Sequence, residues 1–336
     1  LFLLRIVHVL LPRIISSKLK MVYLVQEPHA YNNWLMSRPR KYGTKRMLQV
    51  CYSPDYYAQT HTNSMEKLSA VADALDLLGI VEFHRPEKLS IDILKQLHDP
   101  KYVDAFDTGF PEKLATFQGF KPWNTQLRDA VYQINAGQIL AAELAFKHQI
   151  SANIAQGFHH AVYEHGGSFC TFNGLALIAQ QFPDKRIFVL DCDQHGGNGT
   201  AEFTRRFDNF FNYSIYGLAF GCPTYERSET YHVHKHQGNF SQYILAIHQA
   251  FQRALDWNAD LIIFQAGMDC HQNDPCGSSW FSTELIEKRD EIVFRLAKKH
   301  QLPLMFVLAG GYQALPELVK LHVGTFQTAY QTYYAE

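Results

Sequence analysis

Apolar and polar positions fall in blocks along the chain, and the block lengths predict its elements. MLQVCY (47–52) is a short apolar run that reads as a buried strand. NSMEKLSAVADALDLLG (63–79) repeats apolar residues at helical spacing, with Asn63 and Glu66 set as a capping box and Gly79 as the stop. TQLRDAVYQINAGQILAAELAFKH (125–148) predicts a second, longer helix. Strands are then expected at SANIAQ (151–156), RIFVLD (186–191), NYSIYG (212–217), LIIFQAG (261–267) and PLMFVLAGG (303–311). Helices are expected near 199–207, 241–257 and 282–300, with a last one after Leu315. Continuous apolar strands separated by helices imply a parallel sheet covered on both faces. The expected fold class is α/β: a single three-layer α/β/α domain with a central, mostly parallel sheet. No repeat or Pro/Ser linker divides it, so the domain is expected to run over 47–336.

Residues 1–46 are expected to be an extension with no catalytic part. Their apolar stretch has no basic segment before it, is broken by Arg5 and lacks a small-residue cleavage pattern, so it does not read as a signal peptide. No run of about 18 uncharged apolar residues occurs, and no membrane-spanning helix is expected. Composition narrows the class further. A chain of 336 residues, 47% hydrophobic and 19% charged, is not a disordered tail. Its 31 Lys and Arg against 32 Asp and Glu give no global electrostatic reason to bind nucleic acid or a membrane surface. Six cysteines without a CxxC pair suggest free, mostly buried thiols in a reducing, cytoplasmic setting. The 17 histidines point to metal or proton chemistry without saying where.

The strand ends say where. In open α/β sheets ligands bind beyond the carboxyl ends of the strands. SANIAQ runs into Gly157-Phe158-His159-His160, and RIFVL into Asp191-Cys192-Asp193-Gln194-His195-Gly196-Gly197-Asn198. LIIFQAG runs into Met268-Asp269, and PLMFVLA into Gly310-Gly311-Tyr312. Asp193 and His195, two apart in extended backbone, project to the same side and can reach one ion, with Asp269 as a third ligand. Two carboxylates and an imidazole suit Zn²⁺, with Fe²⁺ or Mn²⁺ as alternatives, and three protein ligands leave room for water and substrate. Beside such a rim one imidazole of His159-His160 can take a proton and one can hold a proton for the leaving group. A phenol at Tyr312 can donate to a developing oxyanion. Cys192 and Cys270 flank the ligands and are expected to point into the core.

GFHHA, DCDQHGGNG, AGMDCHQNDP and LAGGY, in this order and spacing, resemble motifs of the histone deacetylase family of the arginase/deacetylase fold. CYSPDYY, SMEK (64–67), PWNTQL (122–127) and the Asn of HGGNG are similar to the class IV enzymes and bacterial histone deacetylase-like amidohydrolases. The resemblance implies a zinc-dependent deacetylase that hydrolyses the amide of acetyl-lysine or a related acyl-lysine with metal-activated water. It implies Asp193, His195 and Asp269 as metal ligands, His160 as general base and then acid, and His159 as an electrostatic, proton-holding partner. Tyr312 would polarise the carbonyl, Asp191 would accept from His159, and Asn198 from His160. Phe169, Ser168 and Gly310 would contact the substrate in an acyl-lysine tunnel, with Phe220 or Tyr225 as its opposite wall. Asp191, Asp193, His195 and Ser214 occupy the positions of a second, monovalent cation, K⁺. Ala309 and Ser168 replace glycines common in the family, which bears on acyl-chain preference.

Acetylpolyamines or other small acyl-amines are the alternative substrates, and a non-catalytic acyl-lysine-binding protein is the rival outside enzymes. An arginase-like site with two Mn²⁺ ions would need a carboxylate at Gly197. The His232-Val233-His234-Lys235-His236 cluster is expected to be a solvated loop, and His98 and His148 ordinary surface or helix positions.

Overall fold

The computed structural model describes residues 46–62, 64–218, 221–233, 240–277 and 281–335. Among the described residues eight strands form one sheet: β1 Leu48–Cys51, β2 Val81–His84, β3 Ile150–Gln156, β4 Ile187–Asp191, β5 Phe210–Tyr216, β6 Ser228–His232, β7 Leu261–Ala266 and β8 Leu304–Leu308. Their order is β2-β1-β3-β8-β7-β4-β5-β6, and every pairing is parallel. Every residue of β3, β4, β7 and β8 is buried, which is why these segments read as unbroken apolar runs. The sheet is thus wholly rather than mostly parallel.

Helix Thr125–His148 packs on β1, β3 and β8, starts at an Asn124 cap and ends at Gln149 in the left-handed region. Helix Leu315–Tyr334 packs against helices Glu66–Leu78 and Thr283–His300, and the latter against Phe240–Asp256. Helix Glu66–Leu78 starts later than predicted, after Met65 with no side-chain cap; Asn63 lies outside the described residues. Gly79 ends it at φ 62°, donating its N–H to Leu75 and Asp76 carbonyls.

Two edge strands escaped the pattern. In β2 only Val81 is fully buried, and in β6 only Ser228, so neither presents an apolar run. Helices Ile91–Leu97, Pro100–Thr108 and Gly174–Gln181 were also not expected, and the helix near 199–207 is shorter, Asn198–Phe203. Strand β8 stops at Leu308, so Ala309, Gly310 and Gly311 leave the sheet. No helix of the described residues is long and apolar enough to cross a membrane. The extension expected over 1–46 lies outside the described residues apart from Arg46.

Candidate metal centre and catalytic site

Strands β3, β8, β7 and β4 are neighbours at the middle of the sheet, so the segments leaving their carboxyl ends meet. Asp193 and His195 follow β4, Asp269 follows β7, and the histidine pair follows β3. The His195 Nδ1 lies 3.2 Å from Asp193 Oδ1 and 2.9 Å from Asp269 Oδ2. One ligand atom from each of the three residues falls within 4.8 Å of the other two. Backbone amides hold the outer carboxylate oxygens: Gly310 N–H donates to Asp193 Oδ2 at 2.6 Å, and Gln194 N–H to Asp269 Oδ1 at 2.9 Å. A Cβ on Gly310 would sit 2.2 Å from Asp269 Oδ2 and 2.6 Å from Asp193 Oδ2, so only glycine lets the chain pass this close.

The donor set fits a divalent cation. Both carboxylates are buried, and burial, reinforced by the Asp193 charge, pushes Asp269 up to about 7. Two buried like charges facing one imidazole nitrogen are what a doubly charged ion between them relieves. Oxygen and nitrogen donors in this number suit Zn²⁺ or Fe²⁺.

The rings of His159 and His160 are 3.9 Å apart, centre to centre. Their environments differ. His159 Nδ1 meets Asp191 Oδ2 at 2.7 Å, while His160 Nδ1 meets Asn198 Oδ1 at 2.6 Å. Burial lowers His160 well below the usual imidazole range, the neighbouring His159 adds to this, and neutral Asn198 offsets little. Burial also opposes charge on His159, but the Asp191 and Asp193 carboxylates outweigh it and raise its pKa. One imidazole is thus held neutral beside one that favours the proton.

The histone deacetylase domain matches residues 61–326. This chain belongs to the histone deacetylase family. It is similar to an uncharacterized protein of Picosynechococcus sp., 27% identical over 286 residues, covering 81% of this chain and 95% of that one. It is also similar to acetylpolyamine amidohydrolase 2 of Pseudomonas aeruginosa, 24% identical, covering 72% of this chain and 84% of the relative. In fold it matches a crystal structure of acetylpolyamine aminohydrolase from Burkholderia pseudomallei, with a TM-score of 0.68 at 17% identity, covering 84% of this chain and 98% of that one.

Other residues that the family pattern singles out take definite places. Phe169, Ser168, Gly310 and Tyr312 line one cavity with His159, His160 and Asp193. Phe169 lies 6.4 Å from the Tyr312 ring and 5.6 Å from Phe120, centre to centre. It and Ser168 both adopt left-handed backbone, φ 63° and 47°, and the Phe169 N–H donates to Gln118 O at 2.7 Å. Tyr312 is anchored through its N–H, which donates to Asp274 Oδ2 at 2.8 Å. Ser214, on β5, pairs in register with Asp191 on β4, and its hydroxyl accepts from Gly197 N–H at 3.3 Å. Cys192 and Cys270 are both buried, and burial pushes the Cys192 thiol up to about 12. All six cysteines are free thiols.

One expectation changes. His98 is not an ordinary surface or helix position: it is fully buried, its Nδ1 donating to Val162 O at 2.8 Å and its Nε2 accepting from Asn173 N–H at 3.0 Å. The first contact falls two residues after His160, and the second on the cap of helix Gly174–Gln181. Tyr225 lies under the Arg205 guanidinium, and Phe220 lies outside the described residues. His234 and His236 also lie outside them, while His232 stacks on Tyr216 at the end of β6. Several lining residues went unassigned from sequence, Lys67, Gln156 and Gln265 among them. Lys67 is fully buried and donates to Ala309 O at 2.5 Å; burial lowers its pKa to about 8, opposed by the charges of Asp193, Asp269 and Asp274. The signal was present: Lys67 shares a helical stripe with Val71 and Leu75, where an apolar residue belongs.

Proposed function

We propose that this chain is a metal-dependent amidohydrolase that removes the acetyl group, or a related acyl group, from lysine side chains of proteins. The observation that carries the reading is the unequal histidine pair beside the Asp193–His195–Asp269 set, in one cavity with Tyr312. A divalent cation held by those three residues, Zn²⁺ with Fe²⁺ as the alternative, would polarise the amide carbonyl and acidify water.

The chain's own residues supply the rest. With its Nδ1–H donated to Asn198, His160 keeps Nε2 unprotonated and accepts the proton of the attacking water there. His159, bonded to Asp191, carries positive charge next to the developing negative charge. Tyr312, its phenol pushed far above the usual range by burial and by the Asp193 and Asp269 charges, stays protonated and donates to the carbonyl oxygen. His160 then returns its proton to the departing amine, and carboxylate and free amine leave. Asp191, Asp193, His195 and Ser214 would hold a K⁺ ion that steadies the strand ends.

Acetylpolyamines are the second reading, supported by the acetylpolyamine amidohydrolase among the similar proteins. A non-catalytic acyl-lysine binder would have no use for the two differently tuned imidazoles. We place the domain over 47–336, with 1–46 outside the catalytic unit, and the protein in the cytoplasm, where free thiols persist. The test is hydrolysis of a panel of acyl-lysine peptides and acetylpolyamines by Zn²⁺-loaded protein. Turnover is expected with one class and strongly reduced with the other; no turnover of any acyl-amine would overturn the reading.

A further inference from the structure

Arg289 heads the large side chains that are fully buried, and the chemistry above does not use it. It sits on helix Thr283–His300, behind the metal ligands. Its Nη1 donates to Gly267 O at 2.6 Å and reaches Cys270 Sγ at 3.5 Å. The Cys270 thiol in turn points at the same Gly267 carbonyl, 3.5 Å away. Gly267 and Cys270 bracket Met268 and Asp269, so the guanidinium grips both ends of the turn that presents a ligand. That turn is tight: a Cβ on Gly267 would fall 2.6 Å from Asp193 Cα and 3.0 Å from Asp269 Oδ1.

The guanidinium is itself held. Its Nε donates to Asp290 Oδ1 at 2.8 Å, and Asp290 Oδ2 accepts from Thr325 Oγ1 at 2.6 Å, on the last helix. Its other face lies over the Phe264 ring on β7. A buried ion pair of this kind is poor value for stability, because apolar side chains of similar volume usually serve a core as well or better. It has a local purpose here. The Gly267 carbonyl turns out of the sheet at the end of β7, away from water, and requires a donor.

We propose that Arg289 is a positioning residue for the metal centre: through Gly267 and Cys270 it sets the turn that presents Asp269, with Asp290 and Thr325 as its outer anchor. This rests on reading Asp193, His195 and Asp269 as metal ligands. The test is Zn²⁺ affinity of the metal-free protein, measured by chelator competition for the parent, Arg289→Lys, Thr325→Val and Asp269→Asn, at a temperature where near-UV circular dichroism shows each folded. Arg289→Lys keeps the charge but loses the two-sided grip, and is expected to bind Zn²⁺ about 10–100-fold more weakly. Thr325→Val is expected to weaken binding in the same direction by less, and serves as the reading if Arg289→Lys does not fold. A purely structural role would lower the unfolding temperature and leave affinity below the transition unchanged, which would overturn the proposal. If the metal reading itself fails, the parent binds no stoichiometric Zn²⁺ and Asp269→Asn changes nothing. If only the positioning fails, Asp269→Asn weakens binding while Arg289→Lys and Thr325→Val match the parent.

Discussion

His322 offers a measurable test of the interior. The side chain is fully buried on helix Leu315–Tyr334, and neither ring nitrogen has a hydrogen-bond partner among the described residues. Burial, with the Lys67 and Arg289 charges adding, holds it well below the ordinary value of 6.5. His322→Leu replaces an unpaired imidazole by an apolar side chain. Leaving a buried polar group unsatisfied costs about 1–3 kcal/mol, so the variant should be more stable by roughly that amount near neutrality. Acid should widen the gap. Below 6.5 the unfolded chain takes up a proton that the folded imidazole refuses, so the parent loses stability as pH falls toward the depressed folded value. Between about pH 7.5 and about pH 5 this amounts to roughly 2 kcal/mol, which the leucine variant does not lose. Urea unfolding of metal-free parent and variant at the two pH values reads both terms. A variant less stable than the parent, or a gap that is the same at both pH values, would refute the reasoning and mean that the imidazole is hydrogen-bonded.

Three further outcomes are expected. Tyr312→Phe should lower kcat by about 10²–10³-fold while leaving Zn²⁺ affinity unchanged; full activity would remove the phenol from the proposed chemistry. Gly310→Ala should fold but lose at least about tenfold in Zn²⁺ affinity, because its Cβ meets both ligand carboxylates; equilibrium dialysis checks this. His98→Leu strands Val162 O and Asn173 N–H, each about 1–3 kcal/mol, and should lower the thermal midpoint by several degrees, which scanning calorimetry would detect or deny.

What could be read from sequence followed from periodicity and from strand ends. Helix Thr125–His148 and strands β3, β4 and β7 lie within a residue of the expected bounds, because each is a long or fully buried pattern. The site residues could be gathered in advance because parallel strands deliver their carboxyl ends to one side. Long-range packing was not legible. His98 follows a short amphipathic helix and looks peripheral until Phe172 and Phe203 close around it from distant positions, beside the nearby Tyr102. Arg289 sits in a polar stretch of its helix and His322 between Leu321 and Val323, and neither setting says that the side chain is fully buried. The edge strands β2 and β6 are too polar and too short to stand out.

The position of β8 bears on how the molecule is made. It is the last of the described strands, yet it lies between β3 and β7, pairing with both. During synthesis those two strands therefore emerge with unpaired edges facing each other, and the sheet stays in two halves until residues 304–308 arrive to join them. Asp193, His195 and Asp269 exist well before that moment, but the Gly310 amide that holds Asp193 comes only after it. Metal capture on the finished geometry thus waits for residues 304–310 to emerge, and a chain halted before β8 would expose two sticky edges.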